Sequence, residues 1–139
     1  TKNEKGKCII EYPGKIFCKY LKDKKVIVSD GKSLVVKNKS NNQYYFYPLN
    51  KTTLNFLLDK NFLIHQIEKG KEKIIDDKYI NYSLIKDEIT LNIFFDISSF
   101  HFVGWQTEDL YQNLIITYIS KIKTNELINQ KLFILPINN

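Results

Sequence analysis

Few residues in this sequence have side chains suited to acid–base catalysis or metal binding. The two histidines, His65 and His101, each fall in an alternating strand pattern, without Cys, Asp or Glu neighbours at metal-ligand spacing. Two adjacent acidic pairs, at 76–77 and 87–88, lie near predicted strand ends. Because neighbouring strand residues point to opposite faces, neither pair is placed to share a proton. We therefore expect no metal and no catalytic residues.

Sequence motifs for cofactor chemistry are also missing. The chain has no Gly-x-Ser-x-Gly elbow, no glycine-rich phosphate loop and no dinucleotide fingerprint, and it has five glycines in all. The sequence therefore predicts a protein that is not an enzyme and that needs no cofactor.

The net charge of +6 permits an anionic partner, such as nucleic acid or lipid head groups. Every basic residue is Lys and none is Arg, although phosphate and guanine contacts in nucleic-acid complexes rely heavily on the guanidinium group. The lysines are also scattered along the sequence. We therefore expect no nucleic-acid partner and interpret the positive charge as compositional drift.

Cys8 and Cys18 are the one cysteine pair, and a hairpin centred on Pro13 would place them directly opposite each other. A disulfide is then feasible if the two residues form a non-hydrogen-bonded pair. An oxidising compartment would favour the bond, whereas in the cytosol both cysteines would act as small buried hydrophobes. A register slip of one residue would separate them, so the sequence leaves both states open.

Period-2 alternation of apolar residues dominates the chain and predicts a mostly β protein. With 139 residues, the chain fits a single domain spanning 1–139. Its longest apolar runs are far short of the ~20 residues that a membrane helix needs. Besides two N-terminal hairpins, strands are predicted near 43–47, 62–67, 79–86, 89–95, 101–106, 113–121 and 131–135.

Two turn signals define the N-terminal hairpins. Pro13-Gly14 divides the apolar run KCIIEYPGKIFCKY, and Asp30-Gly31 divides KKVIVSDGKSLVV. Alternation along the first hairpin then predicts which of its residues share one face with each other. They are Cys8, Ile10, Ile16, Cys18 and Tyr20.

One window, KTTLNFLLDK, has helical periodicity. Leu54, Leu57 and Leu58 fall on one stripe, and Thr52 or Thr53 is predicted to cap the first turn. This helix is expected to lie against the sheet.

Six segments in order resemble the outer-membrane lipoprotein carrier family, LolA. They are EYPGKIFCKY, VIVSDGKSLVV, NNQYYFYPL, TTLNFLLD, ITLNIFFDISSFHFVGWQTEDLYQN and IITYISKIKTNELINQKLFILPI. The resemblance covers nearly the whole chain from about Lys7. Two departures stand out: Tyr12 occupies the position of a family arginine, and the family's N-terminal helix and first strand have no counterpart before Thr1.

The resemblance implies a strongly curved antiparallel sheet, forming an incomplete β-barrel with a short helix over its concave face. It implies a monomeric periplasmic chaperone of a Gram-negative bacterium, which carries acylated lipoproteins from the inner to the outer membrane in outer-membrane biogenesis. The implied partners are an inner-membrane lipoprotein-releasing transporter and an outer-membrane lipoprotein acceptor. The alternative is a LolA-like interaction module that docks proteins without carrying lipid, such as a lipoprotein sensor or an outer-membrane acceptor.

In such a carrier, acyl chains would enter between the sheet and the predicted helix, and ordinary packing is the competing role for each residue proposed to line the site. The residues proposed to contact acyl chains are Ile10, Tyr12, Ile16, Cys18, Tyr20, Val28, Leu54, Leu57, Leu58 and Phe95.

Overall fold

The computed structural model describes residues 5–22, 24–86, 89–108, 114–121 and 123–137. The chain divides into two compact units. The first comprises Thr1–Asn61 and Leu127–Asn139, and the second comprises Phe62–Glu126. Each unit contains one five-stranded antiparallel sheet, in which every strand pairs with the strand that follows it along the chain.

The first sheet consists of strands joined by short turns. At the second hairpin, the side chain of Asp30 accepts hydrogen bonds from the amides of Lys32 and Ser33, both 2.9 Å long. The predicted Asp-Gly hairpin is therefore confirmed. The strands are β1 (Gly6–Glu11), β2 (Lys15–Tyr20), β3 (Lys25–Asp30), β4 (Ser33–Asn38) and β5 (Gln43–Pro48).

The register of the first hairpin matches the pattern of the sequence. Cys8 lies opposite Cys18, and Ile10 lies opposite Ile16. The predicted set of residues on one face is therefore confirmed. Pro48 ends β5 at the edge of the sheet, where its missing amide proton interrupts no ladder.

A helical segment follows the first sheet. It consists of a 3₁₀ turn at Leu49–Lys51, α1 (Leu54–Leu57) and α2 (Lys60–Lys69). The predicted capping is wrong, because Thr53 at the N-cap makes no side-chain capping bond and Thr52 instead donates its hydroxyl to the carbonyl of Leu49.

The strand predicted at 62–67 is also wrong, because this segment lies within α2. Its partly buried residues are 62, 63, 66 and 67, while 64, 65, 68 and 69 are exposed. That spacing has the period of a helix, and the local apolar run concealed it. His65 therefore lies on a helix and not in a strand. No helix among the described residues is long and apolar enough to cross a membrane.

The second sheet begins with a strand that sequence analysis missed, at Glu72–Ile75. The pairing between strands Ile89–Asp96 and Phe102–Glu108 shifts at a bulge between Phe94 and Phe95. Because of this shift, Phe102 and Trp105 lie on the same face and stack, although they are three residues apart. Its strands are β6 (Glu72–Ile75), β7 (Tyr79–Lys86), β8 (Ile89–Asp96), β9 (Phe102–Glu108) and β10 (Leu114–Tyr118).

The C-terminal segment packs against the first sheet. Residues 131–135 do not form the predicted strand; a 3₁₀ turn spans Gln130–Phe133, and the side chain of Asn129 accepts a hydrogen bond from the amide of Lys131. Gln130 accepts from the Lys15 ammonium and donates to the Glu11 carboxylate. The buried Phe133 ring lies beneath Lys15, so this segment covers the face of β2 opposite Ile16 and Cys18.

The fold class is therefore confirmed as mostly β and antiparallel, and neither sheet closes into a barrel among the described residues. The ladders define two five-stranded sheets in place of the single curved sheet that we expected. The segment between Pro48 and Glu72 is helical, so it adds no strand to either sheet. A single carrier domain spanning 1–139 stays a prediction.

The turn between β1 and β2 and the turn between β3 and β4 are joined through a buried serine. Ser29 is fully buried, donates its hydroxyl to the carbonyl of Gly14 at 2.7 Å and accepts from the amide of Gly31 at 3.1 Å. Gly14 has a φ of +78°, and a Cβ at this position would lie 2.9 Å from the Cα of Gly31. Only glycine fits this close approach of the two turns.

Replacing Ser29 with alanine is expected to destabilise the protein by about 1–3 kcal/mol, because the substitution leaves the carbonyl of the buried Gly14 and the amide of Gly31 without their partner. Urea denaturation measures the loss. Ser40→Ala, in the exposed turn after β4, is the matched control and is expected to change stability by less than about 0.5 kcal/mol. Equal stability of the two variants would contradict this role of Ser29.

The turn after β8 is held by one carboxylate. Asp96 accepts hydrogen bonds from the hydroxyl of Ser98 at 2.6 Å and from the amides of Ser98 and Ser99. These bonds favour the charged form, above all the bond from the Ser98 hydroxyl, and lower the pKa of Asp96 to about 2.

A depressed pKa in the folded state means that Asp96 stabilises the fold above the ordinary carboxylate pKa and that this contribution is lost as the pH falls towards 2. Ser98→Ala is expected to raise the pKa of Asp96, because it removes the strongest of these hydrogen bonds. NMR titration of the Asp96 side chain in both proteins measures the change. An unchanged pKa in the variant would contradict this assignment.

Candidate functional site

An apolar cluster lies on one face of the first sheet. The buried side chains of Ile16, Cys18 and Leu34 pack there with Leu49 and Leu58, which come from the helical segment after β5. Ile10, Tyr20, Ile27 and Leu54 are partly buried and pack against the same cluster. We call these nine residues the helix-facing cluster.

Two kinds of interaction hold α1 on this cluster. The carbonyl of Leu58, directly after α1, accepts a 2.9 Å hydrogen bond from the amide of Gly14, in the turn of the first hairpin. The side chains of Leu54 and Leu58 supply the apolar contacts. A four-residue helix is too short to be stable alone, so its position depends on these interactions with the sheet.

A disulfide joins the two strands at the margin of the cluster. The structure links Cys8 of β1 to Cys18 of β2, which are direct partners in the ladder. Cys18 is buried within the cluster, whereas Cys8 is exposed on the edge strand. The bond therefore fastens the edge strand to the cluster.

The structure brings six of the ten proposed acyl-contact residues together in the helix-facing cluster. They come from the first hairpin and from the segment 54–58. The six are Ile10, Ile16, Cys18, Tyr20, Leu54 and Leu58.

Tyr12 and Val28 are not members of that cluster. Tyr12 is 44% exposed, in the turn between β1 and β2, and partial burial of its side chain raises the pKa of its hydroxyl. Val28 is buried, but it pairs with Phe17 and Val35 and therefore lies on the face of the sheet opposite Ile16. Val28 therefore does not contribute to an apolar surface beneath α1.

Leu57 is buried on α1 without belonging to the helix-facing cluster. Phe95 lies in the second unit, where its ring centroid is 5.9 Å from that of Tyr82 and 5.7 Å from that of Phe102. Phe102 in turn stacks on Trp105 at 6.0 Å. Phe95 therefore belongs to a row of four aromatic rings on one face of the second sheet.

Sequence reasoning missed several residues that accompany the proposed set. Ile27 and Leu34 of the cluster follow from alternation across the Asp-Gly hairpin, so the pattern that located Ile16 contained the signal for them. Leu49 had no such signal, because it lies in a 3₁₀ turn outside any strand or helix period. Trp105 was hidden by the bulge, which breaks period-2 alternation.

The chemistry available at the cluster is apolar contact. Its members are aliphatic and aromatic side chains and a disulfide sulfur, with no carboxylate, amine or imidazole among them. In the described part of the chain, no group of three His, Cys, Asp or Glu side chains gathers to hold a metal ion. The arrangement is suited to contact with hydrocarbon rather than to proton transfer.

Comparison with protein families gives one match that spans most of the chain. The family model described as outer membrane lipoprotein carrier protein LolA matches residues 1–135. Comparison with curated proteins gives no match.

Reduction of the Cys8–Cys18 disulfide is expected to destabilise the protein by roughly 2–4 kcal/mol, because the reduced chain regains conformational freedom in the unfolded state. Urea denaturation with and without dithiothreitol measures the change. The Cys8→Ala/Cys18→Ala double variant is the control, since its stability is expected to be insensitive to the reductant. Equal stability of the oxidised and reduced wild-type chains would contradict the structural role of the bond.

Proposed function

Because the chain belongs to the outer membrane lipoprotein carrier protein family, LolA, we propose that it carries lipoproteins by binding their acyl chains. The members of this family are carriers and not enzymes. The observation that carries the proposal is the family match over residues 1–135. The apolar chemistry of the helix-facing cluster supports it independently, because the cluster consists mainly of hydrocarbon side chains that can contact an acyl chain.

In this proposal, acyl chains lodge between the first sheet and α1. Entry requires α1 to move away from the sheet, which breaks the hydrogen bond from Gly14 to Leu58. The leucines of α1 then exchange their contacts with Ile16 and Cys18 for contacts with the acyl chain. One hydrocarbon surface replaces another, so the helix acts as a lid.

The approximate free energies of burial and exposure indicate that such binding is reversible. Each methylene removed from water contributes about 0.8 kcal/mol, so a fully buried chain of ~14 carbons gains roughly 11 kcal/mol. Displacing Leu54, Leu57 and Leu58 from their packing costs roughly 1.5–3 kcal/mol for each side chain that stays exposed. With one of these side chains left exposed and the others in contact with the acyl chain, roughly 8–9.5 kcal/mol remains, which corresponds to about micromolar affinity and still permits release.

The periplasm is the proposed location. The Cys8–Cys18 disulfide fits that compartment, because disulfides persist in oxidising environments and are rare in the cytosol. Transfer between an inner-membrane lipoprotein-releasing transporter and an outer-membrane acceptor completes the proposed carrier role.

Direct binding of a fluorescent fatty acid and of a diacylated peptide tests the proposal. Wild-type protein is expected to bind one equivalent tightly enough to saturate. Absence of binding above that of an unrelated β-rich protein would overturn acyl-chain binding and would favour an interaction module that docks proteins without carrying lipid.

Leu54→Asn is expected to weaken binding of the diacylated peptide by at least tenfold, because an amide in the lid places a polar group against hydrocarbon. Leu132→Asn is the matched control, since Leu132 is also partly buried but lies in the C-terminal 3₁₀ turn. Thermal denaturation verifies that both variants fold. Equal binding by the two variants would contradict the proposed position of the acyl chain.

A further inference from the structure

The fold gathers lysines that are scattered along the sequence at one end of the first sheet. Lys5 and Lys7 lie at the start of β1, Lys19 near the end of β2, and Lys39 just after β4. Lys22 and Lys24 lie in the turn between β2 and β3, and all six side chains are exposed. We call these six lysines the basic end.

Backbone pairing holds these lysines together. The amide of Leu21 donates to the carbonyl of Lys5, and the amide of Lys39 donates to the carbonyl of Lys24, both at 2.9 Å. Lys7 lies directly opposite Lys19 in the ladder, on the same face of the sheet. Like charges opposite each other are unfavourable, so the fold maintains a repulsive pair that an anionic surface would neutralise.

The basic end contributes to the net charge of +6, which results from 21 lysines and 15 Asp and Glu residues. Lys25 and Lys37 also lie at this end, but Lys25 is partly buried and Lys37 is buried. The described residues at this end, 5–8, 18–22, 24–27 and 36–44, include no Asp or Glu. Even with Glu4 and Asp23 counted, which lie outside the described residues, lysines remain in excess.

An exposed apolar side chain lies among these lysines. Leu21 lies in the turn between β2 and β3, next to Lys22, and it is 66% exposed. An exposed leucine surrounded by lysines suits the boundary between lipid head groups and acyl chains, where the apolar group inserts and the ammonium groups meet phosphates. The basic residues are all lysines, whose ammonium groups are point charges on flexible side chains. Such groups suit the phosphates of a fluid lipid surface better than the fixed carboxylates of a protein partner.

We propose that the basic end, with Leu21 at its centre, is a docking surface for a membrane containing anionic phospholipids. Charge complementarity selects the lipid, and Leu21 adds contact that does not depend on salt. This docking goes beyond acyl-chain binding and depends on different residues. It would hold the carrier at the bilayer from which an acylated protein is taken.

Sedimentation with vesicles tests the proposal on the whole protein. Binding is expected with vesicles of phosphatidylcholine containing phosphatidylglycerol, and not with phosphatidylcholine alone. It is expected to fall steeply between low ionic strength and about 0.5 M salt, as the screening length shortens. Failure to bind the anionic vesicles at low ionic strength would overturn the proposal.

Matched charge variants test the location of the surface. Lys7→Gln/Lys22→Gln/Lys39→Gln is expected to weaken binding to anionic vesicles roughly 100-fold, because each lysine near such a surface contributes about a factor of five. The control, Lys32→Gln/Lys51→Gln/Lys131→Gln, removes the same charge elsewhere in the first unit and is expected to weaken binding by less than about fivefold. Equal losses in the two variants would overturn the proposal.

Two further measurements separate the alternatives. Leu21→Gln is expected to remove the part of vesicle binding that persists at high salt, and retention of that part by the variant would overturn the role of Leu21. Binding to poly-glutamate but not to vesicles, with the same dependence on Lys7, Lys22 and Lys39, would assign the surface to an acidic protein instead.

Fatty-acid binding by the Lys7→Gln/Lys22→Gln/Lys39→Gln variant is expected to be unchanged. The proposals for the docking surface and for the acyl-chain site can therefore fail independently.

Discussion

The hydrogen bond between the amide of Gly14 and the carbonyl of Leu58 is the constraint that holds α1 against the first sheet. Gly14 is also the acceptor for Ser29, whose hydroxyl binds the amide of Gly31. Two hairpin turns and the end of α1 therefore meet at one small group of atoms. Leu58 is in this way held over Ile16, and the helix-facing cluster forms beneath it.

The two faces of the first sheet are covered in different ways. The face carrying Phe17 and Val28 is covered by the C-terminal 3₁₀ turn, which adds polar bonds from Gln130 to the contact of the buried Phe133 ring. The helix-facing cluster is instead covered by a short helix held by leucine side chains and by the backbone hydrogen bond from Gly14 to Leu58. Displacing the helix breaks that bond, but its apolar contacts can be exchanged for those of an acyl chain. This asymmetry makes the α1 face the better candidate for a reversible site.

Local patterns in the sequence predicted the parts of the fold that local chemistry determines. Alternation across Pro13-Gly14 and Asp30-Gly31 located both N-terminal hairpins, because turn residues and period-2 burial together set the register. The same reasoning failed at 62–67, where a short apolar run fits a strand or a helix equally well. The division into two sheets depends on which edge strands pair, and the bulge at Phe94 depends on the partner strand. Neither leaves a periodic signal within a single segment.

Hydrogen exchange at the Gly14 amide tests most directly whether acyl chains lodge beneath α1. In the free protein, its bond to Leu58 is expected to slow exchange. Saturation with a diacylated peptide is expected to accelerate exchange at Gly14 at least tenfold, while the amide of the buried Val35 in β4 stays unchanged. Unchanged or slower exchange at Gly14 in the saturated protein would show that α1 stays in place, and it would contradict this account.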